Sequence, residues 1–416
     1  MSSDEGRGGS VTSSYADDHV DDTVAWDVTD VSREELAEAL MAEVLAQPAL
    51  REQVDLAHDL RWLRTYLPGA GRRLVVAVLR RAGAPVGFAP FLLHPSALRL
   101  ALGEMTVVSR DIQRWTAVAP PLIGVPRPED TLRALRGLLQ SIRRALGRRE
   151  VFYVEGLPQE SPLFGLLTGP RASRAGYHAL KFGRAYQHRS IALTADYETY
   201  LRTLGGKTRE DLRRTRRRFS ELMADEVEVR RYERADEVDT FLEAATAVSE
   251  KTWQYRQMDA GLRDRDALRA RFRRTTELGW FRSYVLFARR APVAFQVGHL
   301  YRGTFHAQDI GYDPDLAKLN PGIFLHTGIL LDLTAQPGAV ACFDFGQSDS
   351  LHKARLSNRF RTEAHFYLLP SGPAGTLTAY GMRTTNALSS SLGSALERMG
   401  VRRTARALIR RLGLAR

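Results

Sequence analysis

Residues 289–300 read Arg-Arg-Ala-Pro-Val-Ala-Phe-Gln-Val-Gly-His-Leu, and residues 80–88 read Arg-Arg-Ala-Gly-Ala-Pro-Val-Gly-Phe. Around each, an apolar run, a short turn and a second apolar run predict a β-hairpin: Leu74–Leu79 with Val86–Leu93, and Ser283–Ala288 with Pro292–Leu300. Ala84-Pro85-Val86-Gly87-Phe88 lies over Ala291-Pro292-Val293-Ala294-Phe295, each after an Arg pair. The elements that follow also recur in order. A helix at Thr131–Leu146 and a strand at Glu150–Glu155 are followed, after the second hairpin, by a strand at Thr304–Ile310, a helix at Gly322–Leu333 and a strand at Val340–Phe345. Phe152-Tyr153-Val154-Glu155-Gly156 matches Cys342-Phe343-Asp344-Phe345-Gly346. The repeated order predicts one mixed α/β unit, duplicated.

Bulk composition fits two such units. The chain has 416 residues, 44% of them hydrophobic, enough for real cores and too apolar for global disorder. Its single cysteine, Cys342, excludes an internal disulfide and a thiolate-rich metal site, and fits a cytoplasmic setting. No apolar run approaches the roughly 20 residues of a membrane helix, and the polar, acidic start is unlike a signal peptide. Net charge is +12, divided between a tail of −7 over residues 1–31 and a body of +19. A body this basic attracts polyanions such as nucleic acid, phospholipid or a phosphate-bearing cofactor, although arginine on ordinary solvated faces gives the same count. Only five of the 60 basic residues are lysines: 181, 207, 251, 318 and 353.

Residues 1–30, rich in Ser, Gly and Asp, are expected to be disordered. A helix is expected from Ser32, with Ser32 as cap and Glu35 completing a capping box. A second is expected at Thr208, with Asp211 reaching back and Arg213, Arg214, Arg216, Arg217 and Arg218 on its surface. Residues 370–380 (PSGPAGTLTAY) read as a linker, and the segment beyond as a basic amphipathic helix suited to its own domain, RNA or an anionic membrane. No His pair, P-loop, Gly-x-Ser-x-Gly or His-Glu-x-x-His motif points to a metal or another reaction class.

The chain resembles a known superfamily from Tyr200 onward. Tyr200 to Lys207-Thr208-Arg209 and the Leu212-Arg213-Arg214-Thr215-Arg216-Arg217 run are similar to the entry of the second half of tandem GNAT-fold acyltransferases. These are the CelD-type acetyltransferases of cellulose biosynthesis and the related Fem-type peptidyltransferases. Lys251-Thr252-Trp253, Pro292–Gly298, Gly311-Tyr312-Asp313-Pro314, Asn320-Pro321-Gly322 and Asp344-Phe345-Gly346 with Lys353 follow in the family's order. The resemblance covers residues 186–370; the first half matches by element order.

This resemblance implies two GNAT-like modules, each a largely antiparallel mixed sheet flanked by helices. The expected organisation is a tail at 1–30, modules at 31–185 and 186–370, and a linker with a basic helix at 371–416. It implies N-acyl transfer from acyl-CoA to an amine acceptor by direct attack, with an aminoacyl-tRNA-dependent Fem-type transferase and a catalytically inactive binding protein as alternatives. The donor's arm would run in the gap between splayed strands, its diphosphate at Asn320-Pro321-Gly322 with Lys318 and Tyr312 nearby. The Gly-rich phosphate loop of ordinary acetyl-CoA enzymes is absent. Lys353 is expected to handle the donor, Asp344 to receive or hold the amine or else to cap the following turn, and His352 to be eligible as a base. Trp253, Tyr255, Lys207 and Arg213 are the expected acceptor-side residues. The amine acceptor itself, whether amino sugar, peptide or natural product, is left open.

Overall fold

The computed structural model describes residues 24–68, 71–102, 105–125, 127–169, 175–252, 255–256, 261–335 and 338–398. The first half contains β1 (Asp27–Asp30), β2 (Arg73–Arg81), β3 (Ala84–Leu102), β4 (Met105–Ala117), β5 (Leu122–Ile123), β6 (Glu150–Pro158) and β7 (Tyr177–Ala192). The second contains β8 (Val227–Tyr232), β9 (Ser283–Ala288), β10 (Ala291–Tyr301), β11 (Thr304–Tyr312), β12 (Cys342–Asp344) and β13 (Arg359–Pro370). The duplication is real in topology. In each half an edge strand and helices precede three antiparallel strands. A helix then crosses to a parallel strand, β6 beside β4 and β12 beside β11. The crossing helices are Pro128–Ala145 and Pro321–Thr334.

The hairpin turns are equivalent, but the Arg pairs are not. Ala84 faces Arg81 across the first turn and Ala291 faces Ala288 across the second. Ala82 and Gly83 form the first turn; Arg289 and Arg290 form the second, with φ of 49° and 64°. Both are two-residue turns with two left-handed residues, the geometry that suits twisted hairpins.

The two halves share one sheet, in the order β1-β2-β3-β4-β6-β13-β7-β12-β11-β10-β9-β8. The last strand of each half is exchanged. β7 ends the first half yet pairs with β12 of the second, and β13 ends the second half yet pairs with β6 of the first. β7 and β13 pair with each other from Ser190↔Arg359 to Tyr177↔Pro370. A boundary at 185/186 therefore cuts through β7, and the modules interpenetrate rather than follow one another.

Other expectations shift locally. Asp27–Asp30, placed in the disordered tail, pair with β2, and Trp26 is buried with its indole N–H on the Ala134 carbonyl at 2.9 Å. The strand is short and mostly exposed, so it leaves no alternating apolar pattern. Residues 1–23 lie outside the described residues. The helix after Ser32 spans Glu34–Ala46 with no side-chain cap, because the Ser32 hydroxyl accepts the Leu74 N–H of β2. The arginine helix starts two residues before Thr208, at Gly206, while Asp211 binds Arg214 and Arg355. The expected linker is helical from Pro373 to Arg398. Proline suits a first helical turn because its missing N–H would have no partner there, and Gly375 lets the helix pass the Pro370 carbonyl. Ala379 and Met382 pack on Leu98, Leu180 and Tyr367. Residues 399–416, most of the expected basic stretch, lie outside the described residues.

Strand exchange generates a prediction. The fragments 24–185 and 186–398 each lose a central neighbour, so each alone shows no cooperative unfolding by circular dichroism, while their co-expression restores it. A fragment that unfolds cooperatively by itself contradicts the exchange.

Candidate functional site

β11 and β12 pair only where Thr304–His306 meets Cys342–Asp344. β10 holds the far edge of β11 as far as Tyr312. Residues 307–312 therefore turn toward the loop after β12 an edge that has no strand partner among the described residues. Gly346 fixes that loop: its φ of 67° suits glycine, and a Cβ there would lie 3.3 Å from the Ala307 carbonyl oxygen. β11 ends in a 3-10 turn, Pro314–Leu319, and Asn320 in the left-handed region redirects the chain into helix Pro321–Thr334. The opening between the strands thus faces the first turn of a helix. Proline at N1 lacks an N–H there, and positive dipole collects at that end.

This opening is one wall of a cleft of about 1390 Å³. The first half contributes His58, His94, Arg114 and Glu155. The second contributes Arg271, Gln296, Asp309 and the strand and loop residues above. Of the residues expected from sequence, Tyr312, Asn320, Gly322, Asp344, His352 and Lys353 line it together. Lys318 is exposed on the 3-10 turn and outside that lining. Lys207 and Arg213 lie on the exposed face of helix Gly206–Leu222, with Arg213 on Glu198 at 2.7 Å. Tyr255 is half-buried under the Arg263 guanidinium, also outside the lining. Trp253 lies outside the described residues. The acceptor-side set was chosen from one stretch of chain, whereas the wall opposite the splay is built by the other half.

Sequence reasoning missed the charged centre beneath the cleft. His188 of β7 stands between two carboxylates, with Nε2 2.7 Å from Asp344 Oδ1 and Nδ1 3.2 Å from Glu363 Oε2. Glu363 of β13 is buried and also accepts from the Tyr186 hydroxyl at 2.7 Å and Arg361 Nε at 2.6 Å. Asp344 Oδ1 accepts the Gly346 N–H at 2.7 Å as well, so the carboxylate does cap its own turn. Burial disfavours a charged His188, but its bonds to Asp344 and Glu363 outweigh burial and hold the imidazole up to about 9. Burial likewise raises Asp344 and Glu363, and His188 more than reverses it, keeping both low. The centre is an imidazolium between carboxylates, spanning the exchanged strands. Its partners lie 156 and 175 residues apart, so no local pattern announces them.

Lys353 is half-buried, and its Nζ points into the loop: it donates to the carbonyls of Gly346 (3.3 Å), Gln347 (2.6 Å) and Ser348 (3.2 Å), and to Ser348 Oγ (3.2 Å). Burial lowers its basicity. His352, in the next helix (Leu351–Leu356), meets His326 of helix Pro321–Thr334 with Nε2 to Nδ1 at 2.7 Å. His326 Nε2 lies 3.2 Å from Gln296 Oε1. Burial, reinforced by the Lys353 ammonium, keeps both rings neutral: His326 falls well below the usual range, and His352 to about 4. Cys342 does not line the cleft, and burial pushes its thiol up to about 11. Among the described residues no cluster of His, Cys, Asp and Glu is built to hold a metal, and no helix is long and apolar enough to cross a membrane.

The central imidazolium sets a pH dependence. A folded-state pKa raised above 6.5 adds stability that is complete below pH 6.5 and lost as pH rises toward 9. The other shifted histidines, His58, His94, His299, His326, His352 and His365, are lowered, so their contribution no longer changes above pH 6.5. Urea unfolding is therefore expected to lose on the order of 2–3 kcal/mol between pH 6.5 and 9, and a His188→Asn variant, weaker throughout, to lack that slope. A wild type whose stability is flat over this window contradicts the assignment.

Residues 206–354 match the family described as acetyltransferase (GNAT) domain. No curated protein sequence matches the chain. The crystal structure of FemX superposes with a TM-score of 0.54 at 11% identity, covering 82% of this chain and 98% of that one. A conserved protein of unknown function from Bacteroides thetaiotaomicron VPI-5482 gives 0.51 at 16% identity, covering 82% and 100%. The C-terminal domain of a putative lysylphosphatidylglycerol synthetase from Agrobacterium fabrum gives 0.48 at 15%, covering 85% and 96%. The matched segment begins with helix Gly206–Leu222 and ends at Ala354, so it contains β11, β12, the splay between them and the helix facing it. The chain thus has the GNAT acyltransferase fold, with its GNAT domain in the second half.

Proposed function

We propose that the protein is an N-acyltransferase of the CelD type, moving an acyl group from acyl-CoA to an amine by direct attack. One observation carries this reading: the unpartnered edge of β11 opens onto the start of helix Pro321–Thr334 inside a cleft that the other half completes. An extended pantetheine arm can hydrogen-bond along such an edge, and a phosphate gains from the dipole at the helix start. Gly322 suits a close approach, since a Cβ there would have no neighbour nearer than 3.7 Å. The acceptor enters from the side of His94, Arg114 and Glu155. Asp344 holds its ammonium form, and Lys353 acts first by fixing the Gly346–Ser348 loop that forms the roof. The residue types fit the donor without a metal or a covalent enzyme intermediate, since attack by an amine on a thioester needs orientation and oxyanion stabilisation rather than a second nucleophile.

A second reading keeps the fold and changes the donor to aminoacyl-tRNA, as in Fem-type enzymes. The likeness to FemX and the exposed arginines of helix Gly206–Leu222 favour it. Acetyl-CoA at a hundred times its Kd is expected to stabilise the protein by about 2.7 kcal/mol, read as a shift in thermal unfolding, with binding confirmed by calorimetry. No shift with any acyl-CoA, together with a gel shift by aminoacyl-tRNA that weakens steeply with salt, overturns the first reading in favour of the second.

A further inference from the structure

The hydrogen bonds behind the splay determine where the protons of two buried histidines sit. The side-chain amide of Gln296 donates from Nε2 to the carbonyls of Val297 (2.8 Å) and Asp309 (3.3 Å), which fixes its orientation. Its Oε1 therefore faces His326 as an acceptor, and His326 Nε2 must carry the proton. His326 is buried, and a cation there would stand beside His352 and Lys353. As a neutral ring it is left with a bare Nδ1. That nitrogen lies 2.7 Å from His352 Nε2, so His352 Nε2 is the donor and its own Nδ1 the bare nitrogen. Both rings line the cleft. The relay begins at the backbone of Asp309, on the unpartnered segment of β11, and ends at His352, beyond β12. Its two ends thus touch both walls of the opening.

We propose that His352 Nδ1 is the general base of the transfer, its tautomer fixed by His326 and Gln296 as positioning residues. This rests on the acyl-transfer reading above. The ammonium held by Asp344 first gives one proton to solvent; as the neutral amine nitrogen then bonds to the acyl carbon, His352 Nδ1 takes the second proton that the nitrogen loses. The carbon–sulfur bond then breaks, its electron pair leaves on the carrier thiolate, and the imidazolium returns the proton to that sulfur. Among the described residues, the charged and titratable groups facing the ring are Lys353 on its own helix and His326 across from it. Neither is a carboxylate that would hold the imidazolium, so the ring stays an open base through neutral pH and gives the proton up readily.

His352→Gln isolates the role, because a glutamine amide retains an N–H near Nε2 for His326 but offers no nitrogen at Nδ1. The variant is expected to bind CoA as the wild type does, with unchanged donor KM, while kcat falls by about 10²–10⁴-fold and the acidic limb of the wild-type kcat profile disappears. Gln296→Leu, which frees the His326 tautomer, is expected to lower kcat without changing donor KM. Nitrogen-15 spectra of the full chain labelled at histidine give a readout independent of turnover, and His352 is expected as the Nε2–H tautomer. An Nδ1–H tautomer, or a His352→Gln variant with kcat within twofold of wild type, overturns the proposal. A wild type that neither binds CoA nor transfers from any acyl-CoA overturns the acyl-transfer reading and this role with it, whereas failure of His352→Gln alone leaves that reading standing.

Discussion

Everything in the molecule depends on the antiparallel ladder between β7 and β13, the two strands that each half lends to the other. Because β7 pairs with β12 and β13 with β6, neither half completes its sheet alone. The ladder carries the buried centre at which His188 bridges Asp344 and Glu363. Buried charges are expensive unless paired and hydrogen-bonded. Here every charged partner has a further bond: Asp344 to the Gly346 N–H, Glu363 to Tyr186 and Arg361. Such a centre adds less to net stability than its short distances suggest, but it tolerates no change of register. A one-residue slip of β13 would turn Glu363 to the other face of the sheet and strand the imidazolium.

The same ladder positions the cleft. β12 is only three residues long, and β7 anchors it on one side while β11 leaves it on the other. The separation of β11 from β12 is therefore a consequence of where β12 is held. Gly156 shows how closely the halves meet: its φ of 60° suits glycine, and a Cβ there would lie 3.0 Å from Glu363 Oε2 and 3.2 Å from Gln347 Nε2. Its counterpart in the duplication, Gly346, lies in the roof of the cleft. Two pseudo-equivalent glycines, one within β6 and one in the loop after β12, thus allow the two halves to approach the shared centre.

The sequence made the repeated parts legible and concealed the exchanged ones. The hairpins around Gly83 and Arg289 show because their apolar runs flank a two-residue turn, and helix Pro321–Thr334 shows because proline and an apolar run interrupted only by His326 and Thr327 as far as Leu331 mark a buried start. β7 did not show. Its sixteen residues include Lys181, Arg184, His188 and Arg189, and the last two find their partners, Glu363 and Asp349, far away in sequence. Periodicity reports which face of a strand is buried, not which strand lies beside it, so no local pattern encodes the exchange. The cluster of Asp344, His352 and Lys353 was visible because it is local, one loop and one short helix. The residues chosen for the acceptor side were local too, and Lys207 and Arg213 face solvent outside the cleft, while the facing wall comes from the first half. Lys353 was found by its rarity, yet its Nζ is committed to three loop carbonyls. Scarcity picked out the residue, and geometry gave it a different first task.

A crystal structure of the full chain with a non-hydrolysable acyl-CoA analogue tests the central claim most directly. The account predicts the pantetheine arm between residues 307–311 and the Asp344–Gly346 turn, the diphosphate at the start of helix Pro321–Thr334, and the acyl carbonyl within reach of His352. An analogue bound against the outer face of helix Pro128–Ala145, or anywhere that leaves the opening between β11 and β12 filled by water alone, would contradict it.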